Sequence, residues 1–392
     1  MPKPRRVAVM LNLEWPYKRH ADIFAGTQEY AQERGWESII DEYADNTVAA
    51  RRAASVSYDG VIARATRKLA LGAARLNIPV VNVWFSSPMW RSLPGVFADF
   101  SAIGRLRAEH LLARGFRRFA ALTSSNDRGE GFEMKAFAAT LAEAGYPCLA
   151  AKTPLSSVSS LKHWRKTERT IAAWMEDWQL PIGVYIGAES HGRMVVQMCR
   201  NRGWRVPEDV AIITGWNEET FCEHLRPTLS SVEVGFKRIG YEAARLLDRL
   251  MDGSAPPAGP ILLPPQGLIV RESTDFFAVD DASVSAALRF IAAQSHLAIG
   301  PDDVARAVAC GTRTLQRRFR QHLNRAIGAE IRRVRIERAK RELAETERRI
   351  SEIARDAGFG PPMRMYEVFV RELGVTPSQY RRQQLGATAT AP

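Results

Sequence analysis

Short apolar runs alternate with longer segments of helical periodicity through roughly the first 275 residues. Such alternation is typical of a parallel β-sheet whose crossover helices cover both faces. The runs are continuously apolar, as expected for strands buried on both sides. The predicted strands are Val7 to Leu11, Gly60 to Ala63, Val80 to Trp84, Phe119 to Thr123, Gly183 to Ile186 and Val210 to Thr214. Predicted helices end at Gly35, Gly115 and Gly145, since glycine is the usual residue just past a last turn.

The alternation divides into two similar halves, which predicts a two-lobed α/β domain with parallel sheets. The second half begins near Asp99, where a new helix and a new strand restart the pattern. A helix predicted from Phe236 to Met251 then returns the chain to the first half. Two lobes joined by crossovers leave a cleft at the carboxyl ends of their strands, and open α/β sheets bind small ligands there.

Polar and aromatic side chains follow several predicted strands at this carboxyl edge. A sugar site needs polar groups that reach hydroxyls and an aromatic face for the ring, and this set supplies both. We therefore predict a small-molecule effector, with a sugar as the expected chemistry. The alternatives are that Asp127 and Arg128 form an exposed turn and that Trp216 fills the core. The candidate effector-binding residues are Asn12, Trp15, Tyr17, Arg19, Arg64, Asp127, Arg128, Glu189, Trp216 and Asn217.

The C-terminal region is helical and rich in arginine. Residues 281–392 hold 20 Lys and Arg against 12 Asp and Glu, whereas the first 280 residues hold 35 against 31. A cationic excess at one end predicts a surface that binds a polyanion, with a merely solubilising surface as the alternative. The predicted domains are residues 1–277 for the effector domain, 278–385 for an all-α domain and 386–392 for a flexible tail.

The all-α domain is predicted to contain two helix-turn-helix units. In the first unit a short helix begins at Pro301 and stops at Gly311, and the next helix carries Leu315, Phe319 and Leu323 on one apolar stripe. A second helix placed after a short turn is the element that such units insert into a major groove. The second unit repeats the pattern, with apolar positions Ile350, Ile353, Ala354 and Ala357 before Gly358, and Tyr366, Phe369, Val370 and Leu373 after Pro361 and Pro362.

The segment between the two units, IGAEIRRVRIERAKRELAET, has no helix breaker but changes its apolar side midway. At 100° per residue, Ile327, Ile331 and Val334 lie on one side, and Ile336, Ala339 and Leu343 lie near the opposite side. This predicts a connecting helix whose first half packs on one unit and whose second half packs on the other. About 20 residues form a rod of roughly 30 Å, close to the ~34 Å between successive major-groove segments.

The motifs of both regions resemble known families. Residues 284–382, which close with GVTPSQYRR, resemble the AraC-type DNA-binding domain, and the N-terminal region resembles the LacI-type, periplasmic-sugar-binding-like domain through DGVIA, VPEDVAIITGWNEE and PTLSSVEV. This order of domains resembles that of the bacterial xylose-operon regulators over essentially the whole chain. The resemblance implies a transcription activator of sugar-catabolic genes that binds double-stranded DNA, forms a homodimer through its N-terminal domain and contacts RNA polymerase.

The chain departs from that family at several positions. Trp216 stands beside Asn217 where xylose regulators have an acid, and Glu133 and Glu189 stand where related sugar binders have Arg and Asp or Asn. Met365 replaces an aromatic residue in the second recognition helix. These departures predict an altered effector or base preference.

For DNA contact, the candidates lie on the two predicted recognition helices. Arg can bind guanine O6 and N7, Thr and Met can contact thymine methyls, and Glu can accept from cytosine N4. Any of these could instead be a solvated surface residue. The predicted base contacts are Arg313, Thr314 and Arg317 in the first unit and Met363, Arg364 and Glu367 in the second, with Arg318 and Arg320 predicted to contact phosphate.

Other classes of function find little support. The four cysteines form no CxxC pair, so we expect a reducing cytoplasm, no metal and no cofactor. Nucleophile-elbow, P-loop and dinucleotide-binding motifs are absent, Ser190 beside His191 makes no dyad, and His191 is expected on a helix surface, so no enzyme is expected. We expect no membrane contact. The alternative function is a cytoplasmic sensor or transport-type binding protein whose basic tail serves protein interaction.

Overall fold

The structure is a computed structural model that describes residues 4–14, 17–49, 58–125, 127–154, 160–279 and 281–385. By their contacts these residues form two compact units. The first unit comprises the described residues of Met1–Phe100, Asp127–Phe132 and Val234–Pro265. The second comprises those of Ser101–Asn126, Glu133–Glu233 and Gln266–Pro392.

The α/β region and the helical region contain the following elements within the described residues. The α/β region contains β1 (Arg6–Met10), α1 (Lys18–Arg34), β2 (Glu37–Ile40), α2 (Ala44–Ala49), β3 (Gly60–Ala63), α3 (Arg67–Arg75), β4 (Val80–Asn82), β5 (Val96–Ala98), α4 (Phe100–Ala113), β6 (Phe119–Ser124), α5 (Arg128–Glu143), β7 (Cys148–Thr153), α6 (Leu161–Glu176), β8 (Ile182–Ile186), α7 (Glu189–Asn201), β9 (Val210–Ile213), α8 (Glu219–Glu223), β10 (Ser231–Glu233), α9 (Phe236–Met251), β11 (Ile261–Leu263) and β12 (Gly267–Ile269). The helical region contains α10 (Ala282–Gln294), α11 (Pro301–Ala307), α12 (Thr312–Leu323), α13 (Ile327–Glu345), α14 (Ile350–Asp356), α15 (Pro362–Leu373) and α16 (Pro377–Leu385).

The first unit is built on a parallel sheet with the strand order β2-β1-β3-β4. Helix α9 returns to this unit, as predicted, and packs on α1. A Cβ atom at Gly26 would lie 1.8 Å from the carbonyl oxygen of Lys237, and one at Gly240 would lie 1.9 Å from that of Ile23. Glycine is therefore required where the two helix backbones meet.

The second unit contains a matching parallel sheet with the strand order β7-β6-β8-β9. All six predicted strands are present in the two sheets, with bounds that differ by at most two residues. The edge strands β2 and β7 were not predicted. Their side chains are largely exposed or half-buried, so they lack the continuous apolar run that marks an interior strand.

The helical region has two separate hydrophobic cores that share α13, as the change of apolar side predicted. The first core takes Ile327 and Ile331 from α13, together with Leu315 and Phe319 from α12. The second core takes Ile336, Ala339 and Leu343 from α13 and packs them on α14 and α15. The connecting helix therefore belongs to both helix-turn-helix units.

One predicted apolar stripe is wrong. The buried side chains of α15 are Met365 and Phe369, whereas Tyr366 and Val370 are 47% and 42% exposed. The prediction chose the wrong phase because aromatic and aliphatic residues occur on two sides of this helix. Only the side that carries Met365 and Phe369 faces the core shared with α13 and α14.

Within the second unit, the helical region contacts the C-terminal end of α4. The Arg325 guanidinium donates to the carbonyl of Ala113 at 2.8 Å, and Arg117 donates to the carbonyl of His322. Arg325 also pairs with Glu330 of α13. The buried Glu330 carboxylate lies 2.8 Å from Arg325 Nε and 2.7 Å from Arg333 Nη2. Burial by itself would raise the pKa of Glu330, but Arg333 and then Arg325 outweigh it and hold that pKa below its usual range.

Candidate effector and DNA-binding sites

The loop after β1 carries the first group of predicted effector residues. Asn12 adopts a left-handed conformation with a φ of 60°. Its backbone N–H donates to Glu42 at 2.6 Å, and its carbonyl accepts from the His20 ring at 2.9 Å. These bonds fix the loop backbone while the Asn12 side chain stays exposed. Trp15, another predicted residue, lies outside the described residues.

Two arginines of the first unit lie against aromatic rings. The Arg64 guanidinium is 4.7 Å from the centre of the Trp84 ring, and that of Arg19 is 5.4 Å from the centre of the exposed Tyr17 ring. Burial, and then the nearby charge of Arg19, lower the pKa of Arg64 to about 10. Burial also lowers the pKa of His20 to about 4, so this imidazole is neutral at pH 7. The pairs present cationic and aromatic surfaces together, a combination suited to hydroxyl-rich ligands.

The predicted residues Asp127 and Arg128 have structural roles in the first unit. The Asp127 carboxylate accepts from the backbone N–H of Glu130 at 3.0 Å, in the manner of an N-cap for α5. Arg128 Nη1 donates to the carbonyls of Phe85 and Ser87, each at 2.8 Å. A direct effector contact by either residue stays a prediction.

A buried polar cluster in the second unit was not predicted as a group. Arg107 and Glu133 are fully buried and form an ion pair. The Arg107 guanidinium lies 4.4 Å from the centre of the Tyr185 ring and donates to the Gly215 carbonyl at 2.6 Å. Tyr185 also donates its hydroxyl to Glu133, and the Trp216 indole N–H donates to the same carboxylate at 2.7 Å. Trp216 is thus held by its polar edge, not only packed as core.

The charge balance of this cluster explains how it can be buried. Burial disfavours the charged form of Arg107, but Glu133 outweighs that effect and raises the pKa of Arg107. The Arg107 guanidinium therefore keeps its charge while buried, with Glu133 as its ion-pair partner. Sequence reasoning found Glu133 only as a departure from a family pattern and missed Arg107 altogether.

The loop after β9 is held by Glu189 at the start of α7. The buried Glu189 carboxylate accepts from the backbone N–H groups of Trp216 at 2.6 Å and Glu218 at 3.3 Å. Burial raises the pKa of Glu189, although these hydrogen bonds oppose that shift. The carboxylate positions Trp216, and a direct effector contact by Glu189 stays a prediction.

Asn217 follows Trp216 with a left-handed φ of 62° and is 3% exposed. Its amide donates to Glu233 at 2.9 Å and accepts from Arg271 at 2.8 Å. The side chain therefore fixes the turn after β9, so that the adjacent Trp216 is the more available of the two for an effector.

The first recognition helix, α12, presents a cationic face. Arg313, Arg317 and Arg320 are exposed at helical spacing, opposite the buried Leu315 and Phe319. A shallow surface depression is lined by Thr312, Arg313, Gln316, Arg317 and Arg320. Thr314 is half-buried at the edge of this face.

The second recognition helix, α15, presents Met363, Arg364 and Glu367, which are all exposed. Met365 is 0% exposed and lies in the second core, so it cannot contact a base directly. Met365 can therefore affect base preference only through the packing of this helix, and an altered base preference stays a prediction. All three predicted base-contact residues of this helix remain on its accessible side.

The two predicted phosphate contacts differ in their surroundings. Arg320 is exposed, whereas Arg318 lies 3.2 Å from the Asp281 carboxylate and donates to Ser283 at 3.1 Å. Arg318 thus ties α12 to the start of α10. A phosphate contact by Arg318 stays a prediction.

Within the part of the chain that the structure describes, no group of three or more His, Cys, Asp or Glu side chains could hold a metal ion. In the same residues, no helix is long and apolar enough to cross a membrane. His191 is 5% exposed, so its expected place on a helix surface is wrong: it lies on the side of α7 that packs inward.

Comparisons with known proteins agree with both regions of the fold. Residues 108–274 match the periplasmic binding protein-like domain family, and residues 304–383 match a helix-turn-helix domain family. The xylose operon regulatory protein of Escherichia coli (strain K12) is 29% identical over 391 residues, which cover 97% of each chain. That of Haemophilus influenzae is 26% identical and covers 96% of this chain and 98% of the relative.

Solved structures give the same result. The xylose-binding transcription activator xylR aligns with a TM-score of 0.57 and 26% identity, covering 97% of this chain and 98% of that one. The complex of the transcriptional regulator CelR with cellobiose aligns with a TM-score of 0.56 over 70% of this chain and 86% of that one, and at 22% identity it supports the fold alone. The chain therefore joins a periplasmic binding protein-like domain to an AraC-type helix-turn-helix domain and is a homologue of the xylose operon regulators.

Proposed function

We propose that this chain is a sugar-responsive transcription regulator that binds double-stranded DNA through its two helix-turn-helix units. The observation that carries the proposal is the pair of recognition helices, α12 and α15. Each has 12 residues, packs on its own core and leaves its opposite side exposed. The 19 residues of α13 that join the units span about 28 Å, which approaches the ~34 Å between successive major-groove segments.

The DNA contacts follow from these exposed sides. We propose that Arg313, Thr314 and Arg317 contact bases from the first unit and that Arg320 and Arg318 contact phosphates. Met363, Arg364 and Glu367 are the proposed base contacts of the second unit. Arginine near the groove supplies both guanine recognition and attraction to the backbone.

The proposed effector is a sugar, and D-xylose is the first candidate because the similar proteins include xylose operon regulators and a xylose-binding activator. Trp216, held at its polar edge by Glu133, offers an aromatic surface in the second unit. The stacked Arg64 and Trp84 offer a second such surface in the first unit. The other proposed contacts are Asn12, Trp15, Tyr17, Arg19, Asp127 and Arg128 from the first unit and Glu189 and Asn217 from the second.

Effector binding is proposed to change how the DNA-binding helices are presented and thereby to activate transcription, with a ligand shifting a conformational equilibrium by its differential affinity. The proposal includes a homodimer, contact with RNA polymerase and a cytoplasmic location. It also divides the chain into residues 1–277, 278–385 and 386–392, of which the last lies outside the described residues. No catalytic role is proposed.

The DNA-binding half is tested with the full chain and a labelled random-sequence duplex over a salt series. Affinity should fall as salt rises, by a factor that grows with the number of phosphates contacted. Replacing Arg320 by Ala should weaken binding and reduce the salt slope by about one, because Arg320 is the exposed residue proposed to contact phosphate. The matched control is Arg165→Ala, an exposed arginine on α6. Duplex affinity that is absent at low salt would refute the proposal and favour a binding protein whose basic region serves protein interaction.

The effector half is tested by thermal unfolding with D-xylose, other pentoses and cellobiose. A sugar present at 100 times its Kd should stabilise the chain by about 2.7 kcal/mol. Trp216→Ala should abolish the shift, whereas Trp164→Ala, an exposed tryptophan on α6, should not. Lack of any shift across the sugars would refute a sugar effector and leave the DNA-binding proposal intact.

A further inference from the structure

The two recognition helices begin and end in the same way, and their corresponding positions lie 50 residues apart along the chain. Helix α12 begins at Thr312 and α15 at Pro362, and the residue before each has nearly the same backbone conformation, with φ and ψ of −64° and 138° against −62° and 138°. Each helix ends after 12 residues at a left-handed residue, Asn324 in the first and Gly374 in the second. Position by position, the two helices can therefore be compared.

The buried sides of the two helices match. Leu315 corresponds to Met365 and Phe319 corresponds to Phe369, and all four side chains are fully buried. Because these side chains set the rotation of each helix against its own core, corresponding residues on the opposite side face outward in the same way.

The exposed sides do not match. Arg313, Arg317 and Arg320 of α12 correspond to Met363, Glu367 and Val370 of α15. At the three positions where the exposed face of α12 carries cations, the exposed face of α15 carries one anion and two apolar side chains. Met363 is 63% exposed and Val370 is 42% exposed, so neither is a core residue.

The cationic face of α12 suits guanine, whose O6 and N7 atoms accept from a guanidinium. It also adds electrostatic attraction to phosphates, which is independent of sequence.

The face of α15 suits pyrimidines. A thioether and an isopropyl group can contact the C5 methyl of thymine, and a carboxylate can accept from the N4 amino group of cytosine. The same carboxylate would repel guanine O6 and N7, since both are acceptors, and this adds discrimination.

The cations beside this face favour DNA over a protein as its occupant. Arg364 lies on α15 beside Met363 and is exposed, and Arg349 and Arg382 are exposed at the start of α14 and on α16. Apolar contacts flanked by cations fit a major groove bordered by phosphates.

We infer that the two helix-turn-helix units read different bases: the first reads guanine through Arg313 and Arg317, with Arg320 on the adjacent phosphates, and the second reads a thymine- and cytosine-containing segment through Met363, Glu367 and Val370. The inference rests on the proposed DNA-binding function. It makes the target site asymmetric, with a guanine-containing segment and a pyrimidine-containing segment about one duplex turn apart.

The experiment begins by selecting duplexes from a random pool with the full chain, which should yield two such segments. Thymines of the second segment are then replaced by deoxyuridine, which removes only the C5 methyl. Each methyl that the protein contacts should weaken binding about fourfold, the fold change that corresponds to burying one methyl group. The same replacement in the first segment should matter only at a thymine that Thr314 contacts.

Variants assign the effect to side chains. Met363→Ala combined with Val370→Ala should remove the sensitivity to deoxyuridine and leave the salt dependence unchanged. Arg317→Ala should keep that sensitivity and relax the selection of guanine in the first segment. Glu367→Gln should change the selected base from cytosine to adenine, because an amide pairs with adenine N6 and N7.

The possible outcomes distinguish the proposed DNA-binding function from the assignment of bases to the two units. Failure to bind or select any duplex would refute the proposed function and this inference together. Selection of a site that is insensitive to deoxyuridine, or whose second segment is unchanged in the Glu367→Gln variant, would refute the inference alone. Loss of transcription in the Met363 and Val370 variant with unchanged DNA binding would assign this face to a protein partner and also refute it.

Discussion

The ion-paired Glu330 offers a direct test of how the helical region is stabilised. Glu330 is 1% exposed and is held by Arg325 and Arg333, whose side chains are 23% and 36% exposed. Glu330→Gln keeps the shape of the side chain but removes the carboxylate that contacts both Arg325 and Arg333. Breaking a buried pair costs about 3 to 5 kcal/mol. Because solvent reaches both arginines, we expect a smaller loss of unfolding free energy, about 2 to 3 kcal/mol.

Urea unfolding of the full chain measures this loss. With a slope of about 2 kcal/mol per molar urea, the midpoint of the transition should fall by about 1 M. All nine tryptophans lie at or before residue 216, so far-UV circular dichroism reports on the C-terminal helices and tryptophan fluorescence does not. The circular dichroism transition should therefore shift more. The control is Glu352→Gln, which loses an exposed pair 3.9 Å from Arg348 and should change the free energy by under about 1 kcal/mol.

The pH dependence gives the refuting result. The folded state holds the pKa of Glu330 below its unfolded value near 4.3, so the carboxylate stabilises the fold fully above that value. This contribution is lost as the pH falls through the folded pKa. The stabilities of the wild type and the Glu330→Gln variant should therefore start to approach each other below the unfolded pKa and converge once the pH has fallen through the lower, folded pKa. A difference that persists unchanged in acid, or a midpoint no lower than that of the control, would contradict the proposed role of the ion pair.

Three further changes test separate parts of the structure. Asp127→Ala removes the cap on Glu130 and should cost about 1 kcal/mol in thermal unfolding, whereas Asp127→Asn should cost little; equal losses would contradict the capping role. Trp216→Phe removes one hydrogen bond to the Glu133 carboxylate and should lower stability by about 1 to 2 kcal/mol, and an unchanged melting temperature would argue against that bond. Phe369→Ala empties a fully buried site and should cost about 3 to 5 kcal/mol, with loss of binding to the second DNA segment and not the first; a loss below 1 kcal/mol would mean that the second core is not packed as described.

The elements that the sequence predicted well are those whose burial follows a simple period. Interior strands such as that from Gly60 to Ala63 are apolar at every position, and the apolar side of α13 changes at the point where its second core begins. The phase of α15 was predicted incorrectly because Tyr366 and Val370 extend the apolar character onto the exposed side. The period of the apolar residues identifies the helix, but the sequence does not distinguish an exposed apolar residue from a buried one.

A candidate site could be predicted from the sequence when its residues lie close together along the chain. The exposed residues of α12 could be predicted because they all lie on one helix, opposite its single apolar stripe. The cluster joins Glu133 of α5 to Arg107 of α4, Tyr185 of β8 and Trp216 of the loop after β9, which are 26, 52 and 83 positions away from Glu133. A buried arginine in a helix resembles a solvated one in the sequence, since nothing local reveals its counter-ion.

Helix α4 connects the two kinds of candidate site within the second unit. Arg107, in its middle, reaches the Gly215 carbonyl and the carboxylate that holds Trp216. Six residues later, the Ala113 carbonyl at its C-terminal end accepts from Arg325 of the DNA-binding region. Helix α4 therefore provides a continuous route of contacts from Trp216 to Arg325, of the kind through which coupling between sites is carried. That route depends on buried charges at both ends, the very contacts that local sequence patterns do not encode.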